Sequence, residues 1–163
     1  MYDPYKALYI HVPFCKQRCA YCDFATQAAA SDDPAIEAYA EGMVLDIRHA
    51  AKQGFLGSIE TVYLGGGTPS YLGSRALTQI LYTLSLSMHL TDEVECSMEA
   101  NPDSLDARMV KDVWALGVNR LSIGVQSFDD AVLEILGRVH DSKAAKEAIA
   151  CAHERFENVS IDL

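Results

Sequence analysis

The stretch TVYLGGGTPSYLGSRALTQILYTLSLSM, residues 61–88, holds a complete strand-to-helix unit and decides the fold class. Its first residues, Thr61 to Leu64, are typical of a β-strand. A glycine-rich turn, Gly65-Gly-Gly-Thr-Pro69, follows directly. We expect a helix from Ser74 to Met88, because apolar residues recur on one face at Leu77, Ile80, Leu81 and Leu84. A unit of this kind predicts a strand of a parallel sheet covered by its own helix.

The same alternation recurs on both sides of this unit. Further strands are predicted at Ala7–Val12, Glu93–Glu99, Arg120–Val125 and Val159–Leu163. Further helices are predicted at Asp33–Ala51, Ser104–Leu116, Asp129–Leu136 and Ser142–Phe156. Regular βα repetition indicates an α/β fold with a parallel sheet, either doubly wound or closing into a barrel. In both architectures ligands bind at the carboxyl ends of the strands.

Composition restricts the function classes. The 163 residues are 50% hydrophobic and 22% charged, which suits one globular domain. The formal net charge of -10 argues against nucleic acid or an anionic membrane as a partner, because phosphate contacts need clustered Lys and Arg. No apolar stretch reaches the roughly 18 residues that span a bilayer, and the first residues lack the pattern of a signal peptide. We therefore expect no transmembrane segment and a cytoplasmic protein.

The last predicted strand indicates that the predicted sheet does not close into a complete barrel. It is apolar and lies at the very end of the sequence, whereas a finished barrel has no open edge. We expect residues 1–163 to be a truncated piece of a longer protein. Such a fragment is expected to be only marginally stable by itself.

Three of the five cysteines fall within the short segment Cys15-Lys-Gln-Arg-Cys19-Ala-Tyr-Cys22, just after the first strand. An odd number of cysteines makes a poor disulfide framework, and clustered thiols in a reducing compartment indicate a metal centre. Three thiolates favour an iron–sulfur cluster with one iron left open. The alternative is a structural zinc site with His11 or His140 as fourth ligand. Cys96 and Cys151 are expected to be ordinary packed thiols.

Other polar or flexible residues also fall at the ends of predicted strands. The loop Gly65-Gly-Gly-Thr-Pro69 permits close backbone approach to a ligand, although a sharp turn alone explains it equally well. Glu99 ends its strand and is as well explained by a surface charge as by a ligand contact. Gln126 and Asp162 end the next two strands. Because the carboxyl ends of parallel strands share one rim, this coincidence predicts one pocket.

These motifs resemble those of the radical S-adenosylmethionine (SAM) superfamily. The cysteine spacing with the aromatic residue Tyr21 is similar to the signature of the whole superfamily. One branch, that of oxygen-independent coproporphyrinogen III oxidase and HemW-type heme chaperones, is resembled more closely. The similar segments are LYIHVPFC (8–15), GGGTPS (65–70), EANP (99–102), RLSIGVQSF (120–128) and LGRVH (136–140).

The resemblance implies a fold, a cluster and a cofactor. It predicts about five strands of a partial (β/α)6 TIM-like barrel, with the rest of the barrel and a C-terminal domain missing. Cys15, Cys19 and Cys22 would ligate a 4Fe–4S cluster whose open iron takes the amino and carboxylate groups of SAM. The implied SAM contacts are Tyr9, Tyr21, Gly66, Gly67, Thr68, Glu99, Gln126, Arg138 and Asp162. In this chemistry an electron from the cluster cleaves the sulfonium to methionine and a 5′-deoxyadenosyl radical.

Phe24 separates the two members of the branch. The decarboxylating oxidase typically carries a fourth cysteine in a Cys-Gly-Cys sequence, and here the sequence is Cys22-Asp-Phe24. The resemblance therefore favours a heme chaperone over the oxidase, and a zinc-stabilised structural domain is the third reading. It also implies an electron donor such as a flavodoxin or ferredoxin, heme or a porphyrin bound by the full-length protein, and a heme-acceptor protein.

Overall fold

The computed structural model describes residues 5–88 and 93–163. Along the chain its strands are β1 (Ala7–Val12), β2 (Phe14–Cys15), β3 (Gln27–Ala28), β4 (Thr61–Gly66), β5 (Glu95–Ala100), β6 (Arg120–Gly124) and β7 (Asn158–Asp162). The five longer strands form one parallel sheet in the order β1-β4-β5-β6-β7, which is their order along the chain. A doubly wound sheet reverses its direction of growth at one point. This sheet never reverses, so the fold is the expected partial barrel.

The helices cover one face of this sheet. They are α1 (Pro34–Lys52), α2 (Gly73–Ser87), α3 (Ala107–Ala115), α4 (Asp130–Ile135) and α5 (Ser142–His153). Helix α3 begins later than the predicted Ser104, because residues 102–104 form a 3-10 turn and Asp106 caps the helix by accepting the Met109 N–H at 2.7 Å. The chain returns from each strand over the same layer, so α1 packs on α2 and α2 on α3. No helix in the described ranges combines the length and the apolar character needed to cross a bilayer.

The two faces of the sheet differ sharply in chemistry. The face under the helices is apolar and its side chains are buried, as at Ile10, Val12, Val62, Leu64, Met98, Leu121 and Ile123. The concave face is polar: Arg120 donates to the hydroxyls of Ser97 and Ser160, and Ser122 donates to Asp162. Strand β5 shows the predicted alternation, with Met98 in the core and Glu99 on the concave face. Side-chain alternation with a period of two therefore sends polar groups into the barrel interior.

A second, two-stranded sheet was not predicted. In it β2 pairs in parallel with β3, with Cys15 opposite Ala28. Backbone hydrogen bonds from Gln27 to Pro13 (2.8 Å) and from Ala29 to Cys15 (3.0 Å) close the pairing. Strands of two residues are too short to produce a periodic pattern, so sequence analysis could not detect them. The pairing closes the segment from Phe14 to Ala28 into a loop, which we call the Cys loop.

Candidate cofactor site

A cavity of about 600 Å³ opens at the carboxyl edge of the sheet. This volume lies within the range of small-molecule sites. All but one of the residues predicted to bind the cluster or SAM line it: Cys15, Cys19, Tyr21, Cys22, Gly66, Gly67, Thr68, Glu99, Gln126, Arg138 and Asp162. They come from the Cys loop, from the carboxyl ends of β4 to β7 and from the segment after α4. The parallel sheet thus brings distant parts of the chain to one rim.

Tyr9 is the predicted site residue that does not line this cavity. Its ring stacks on Tyr63, with ring centroids 6.1 Å apart, and its hydroxyl lies 3.2 Å from Nδ1 of His11. Both tyrosines occupy paired positions in the middle of β1 and β4. Tyr9 therefore packs beneath the rim, and its contact with the site runs through Tyr63.

The Cys loop positions the three cysteines differently. Cys15 is buried in β2, whereas Cys19 and Cys22 are half-buried. Burial raises the pKa of the Cys15 thiol, and the hydroxyl of Thr68, 3.6 Å from its sulfur, acts in the opposite direction. The Cys22 N–H donates to the Cys19 carbonyl at 3.2 Å, and the Arg18 guanidinium donates to the Cys22 carbonyl at 3.1 Å. The loop is thus held by its own backbone.

The glycine loop is bonded to the Cys loop. The N–H of Gly67 donates to the Val12 carbonyl at 2.6 Å, and that of Thr68 donates to the Phe14 carbonyl at 2.8 Å. A Cβ at Gly67 would lie 2.6 Å from the Phe14 oxygen and 3.0 Å from the Cys15 sulfur, so only glycine fits. The loop is therefore more than a turn. Since the N–H groups of Gly67 and Thr68 are already bonded, the groups of this loop that can bind a ligand are its carbonyl oxygens.

Glu99 is held by two hydrogen bonds at the rim. One carboxylate oxygen accepts the N–H of Gly66 at 3.0 Å, and the other accepts the Tyr63 hydroxyl at 2.8 Å. Burial first, and then this carboxylate, raise the pKa of the Tyr63 hydroxyl well above its ordinary value, so Tyr63 acts as a neutral donor. Sequence analysis missed Tyr63. The available signal was its position two residues before Gly65, on the concave side of the same strand.

Gln126 and Asp162 meet across β6 and β7. The N–H of Gln126 donates to the Asp162 carbonyl at 2.7 Å, and Ser122 donates to the Asp162 carboxylate at 3.2 Å. Gln126 has φ +68°, a left-handed backbone that a non-glycine residue adopts at a cost. The turn directs the chain away from β6 at the rim.

Arg138 joins the sheet to the Cys loop. One terminal nitrogen donates to Oδ1 of Asn101 and to the Gly124 carbonyl, both at 2.7 Å, and the other lies 3.4 Å from the Cys19 sulfur. Its Nε is buried without a hydrogen-bond partner. Arg138 therefore contacts both the sheet and the Cys loop through its guanidinium group. Asn101 was not predicted as a site residue, although it directly follows β5 and also donates to the Thr68 hydroxyl at 3.0 Å.

The two histidines considered as a fourth zinc ligand do not line this cavity. His11 contacts the Ala25 carbonyl at 2.9 Å, and His140 is buried, contacts the Val125 carbonyl at 3.0 Å and lines a neighbouring cavity of about 370 Å³. Within residues 5–88 and 93–163, no three or more His, Cys, Asp or Glu side chains form a ready-made site for a metal ion. The three cysteines line the larger cavity.

Comparison with known proteins agrees with this geometry. The sequence profile of the radical SAM superfamily matches residues 9–163. The chain is 36% identical to the heme chaperone HemW of Haemophilus influenzae over 154 residues, covering 91% of this chain and 40% of the relative. It is 39% identical to HemW of Bacillus subtilis over 162 residues, covering 97% and 42%. It is also 37% identical to the mitochondrial radical S-adenosyl methionine domain-containing protein 1 of Bos taurus, covering 96% and 35%.

A solved structure provides the same assignment. Coproporphyrinogen III oxidase (HemN) of Escherichia coli, described as a radical SAM enzyme, superimposes with a TM-score of 0.88 at 27% identity, covering 99% of this chain and 38% of that one. The chain thus spans about two fifths of the length of the relatives it matches. With the profile, the relatives and the fold in agreement, the chain belongs to the radical SAM superfamily, in its HemN and HemW branch.

Proposed function

We propose that this chain is the part of a heme chaperone that binds a 4Fe–4S cluster and SAM. The observation that carries the proposal is the single rim cavity, which gathers the three cysteines with the glycine loop, Glu99, Gln126 and Asp162. Three thiols on one wall match a cluster that keeps one iron open for a further ligand. Cys15, Cys19 and Cys22 would hold that cluster.

The remaining residues suit the functional groups of SAM. Carbonyl oxygens of Gly66 and Gly67 would accept from its ammonium group, and the half-buried Arg138 guanidinium, which lines the cavity, would donate to its carboxylate. Glu99, Gln126 and Asp162 supply acceptors and an amide for the polar atoms that remain. When bound, the cluster and SAM supply reductive cleavage of the sulfonium to a carbon radical. The chain's own contribution is positioning and exclusion of water.

Phe24 supports the chaperone reading over oxidative decarboxylation. Its side chain is 65% exposed and lines the cavity at the position where the decarboxylating oxidase typically carries its fourth cysteine. A phenyl ring has no thiol chemistry to offer. The HemW relatives, at 36–39% identity, support the same choice. Heme or a porphyrin, a heme-acceptor protein and an electron donor such as a flavodoxin or ferredoxin are the partners that the proposal includes.

Anaerobic reconstitution of the full-length protein tests this proposal. We expect iron and sulfide in the ratio of one 4Fe–4S cluster, an EPR signal of the reduced cluster that shifts when SAM is added, and tight heme binding. One zinc with neither iron nor sulfide would support the structural zinc domain instead. A cluster without heme binding would refute the chaperone role.

The second candidate function is the oxidative decarboxylation of coproporphyrinogen III. The observation that favours it is the superposition on HemN, with a TM-score of 0.88. Turnover of coproporphyrinogen III by the full-length protein, under anaerobic reducing conditions with SAM, would reverse our order. We expect no turnover by the natural sequence with Phe24.

A further inference from the structure

The Tyr63 hydroxyl and the Glu99 carboxylate form a hydrogen-bonded pair at the rim. The hydroxyl donates to one carboxylate oxygen at 2.8 Å, and the Gly66 N–H donates to the other at 3.0 Å. A Cβ at Gly65 would lie 2.7 Å from the Tyr63 ring and 3.1 Å from the Glu99 carboxyl carbon. The first distance would force the Tyr63 ring to shift and the second is a tight contact, so Gly65 leaves space for this pair.

The two partners of the pair occupy different layers. Glu99 lines the cavity, whereas Tyr63 does not, and the ring of Tyr63 stacks on Tyr9 beneath the rim. Among the described residues Glu99 forms no ion pair. Its carboxylate orientation therefore depends on the two hydrogen bonds from Tyr63 and Gly66. A half-buried carboxylate with two fixed donors keeps one geometry, which reduces the ordering needed when a ligand binds.

We propose that Tyr63 is a positioning residue, which orients the Glu99 carboxylate towards SAM without touching SAM itself. This inference rests on the proposed function, because it needs SAM in the cavity. The role requires only the hydroxyl oxygen of Tyr63. Phenylalanine at this position would keep the stacking on Tyr9 and remove the donor.

A double-mutant cycle on the full-length, cluster-loaded protein tests the inference. SAM affinity is measured by EPR titration of the cluster for the unmodified protein, Tyr63→Phe, Glu99→Gln and the double variant. We expect Tyr63→Phe to weaken SAM binding about tenfold, the effect of a hydrogen bond to a charged group. In the Glu99→Gln background the same change is expected to have a much smaller effect, because the amide oxygen that still accepts from Tyr63 carries no charge.

Two controls separate positioning from general disruption. Tyr82→Phe changes an exposed tyrosine on α2 and is expected to leave SAM affinity unchanged. Gly65→Ala keeps Tyr63 and Glu99 but displaces their side chains. It is therefore expected to weaken SAM binding when Glu99 is present, and to have a much smaller effect in the Glu99→Gln background. The melting temperature of Tyr63→Phe is expected to fall only slightly, since one hydrogen bond is lost while the ring and its packing remain.

The outcomes distinguish this inference from the proposed function. An equal loss of affinity in both Glu99 backgrounds, or no loss in either, overturns the inference and leaves the SAM site intact. If Glu99→Gln alone does not change SAM affinity, then Glu99 does not bind SAM, and the inference about Tyr63 is wrong as well. If the unmodified protein with its cluster does not bind SAM at all, the proposed function fails as well.

Discussion

At the scale of single residues, Gln126 is held in a conformation that its side chain does not favour. Its φ of +68° is the one positive value among the non-glycine residues of the described ranges. Left-handed backbone costs a non-glycine residue about 1–2 kcal/mol, and such costs persist where function requires them. The Gln126 side chain lines the cavity, and this place in the site is the functional reason for the unfavourable backbone.

Gln126→Gly separates stability from binding. Glycine accepts the left-handed backbone, so the free energy of unfolding is expected to be unchanged or higher by up to about 1 kcal/mol, after the entropy cost of glycine is counted. SAM binding is expected to weaken, because the amide is removed. Urea denaturation and EPR titration measure the two effects. A less stable variant with unchanged SAM affinity would contradict this explanation.

Cys96 is more deeply buried than the cysteines at the rim. Its side chain is inaccessible in the core, and burial raises its pKa to about 12. The reactive thiolate therefore forms only as the pH approaches that value. We expect iodoacetamide at about pH 8 to modify Cys19 and Cys22 in the cluster-free protein and to leave Cys96 unmodified, as read by mass spectrometry. Modification of Cys96 in denaturant is the control, and modification in the native protein would refute its burial.

At the scale of elements, aspartates begin most of the helices. The side chains of Asp33, Asp106, Asp129 and Asp141 accept backbone N–H groups at the starts of α1, α3, α4 and α5. A short polar acceptor before the first turn bonds a donor that the helix itself leaves unpaired. The acidic side chain also lies at the positive end of the helix dipole.

Asp106→Ala tests the cap of α3. We expect the free energy of unfolding to fall by about 1 kcal/mol, because the Met109 N–H loses its acceptor. Asp106→Asn keeps an acceptor of the same size and is expected to restore most of that loss. Urea denaturation of the three proteins measures the difference. Equal stability of all three would show that the cap contributes little to folding.

The Cys loop is held at its base by main-chain hydrogen bonds, in which the Cys15 side chain takes no part. Pairing of β2 with β3 and the hydrogen bonds from the glycine loop hold it through main-chain groups. In the full-length protein, Cys15→Ser is therefore expected to prevent cluster assembly while the helical circular dichroism and the cooperative melt largely remain. Iron analysis and thermal denaturation measure the two. Global unfolding of the variant would indicate that the metal is structural.

At the scale of the whole molecule, β7 is one of the two edge strands of the five-stranded sheet. In the described part of the chain its one strand partner is β6, and Ile161 is 38% exposed. An exposed, apolar strand edge invites pairing with another chain. We expect residues 1–163 alone to self-associate at high concentration, as followed by analytical ultracentrifugation.

Ile161→Lys tests the origin of that association. A charged side chain on an edge strand opposes pairing, so the monomer fraction is expected to rise. As a control, Lys143→Arg on the exposed surface of α5 keeps the surface charge, so the monomer fraction is expected to stay the same. A sharp, cooperative melt of a monodisperse monomer by the unmodified chain would contradict the prediction.

The sequence by itself determined the five longer strands and the five helices, apart from some of their ends, together with the helix start at Asp33 and the cysteine segment. These follow from short-range patterns, because helical and strand periodicities and metal-ligand spacings involve residues close along the chain. The motifs also sufficed to predict the family. Even the shared rim was predictable, since parallel strands with crossover helices send all their carboxyl ends to one edge.

Only the tertiary structure decided which side chains pair at that rim. The contacts of Tyr63 with Glu99 and of Arg138 with Asn101 and Cys19 join residues 36 to 119 positions apart. Strand register and loop direction set these pairs, and neither leaves a local pattern in the sequence. The same holds for the choice between a doubly wound sheet and a barrel, which depends on the side to which each new strand is added. Packing of distant segments, rather than any local preference, made that choice.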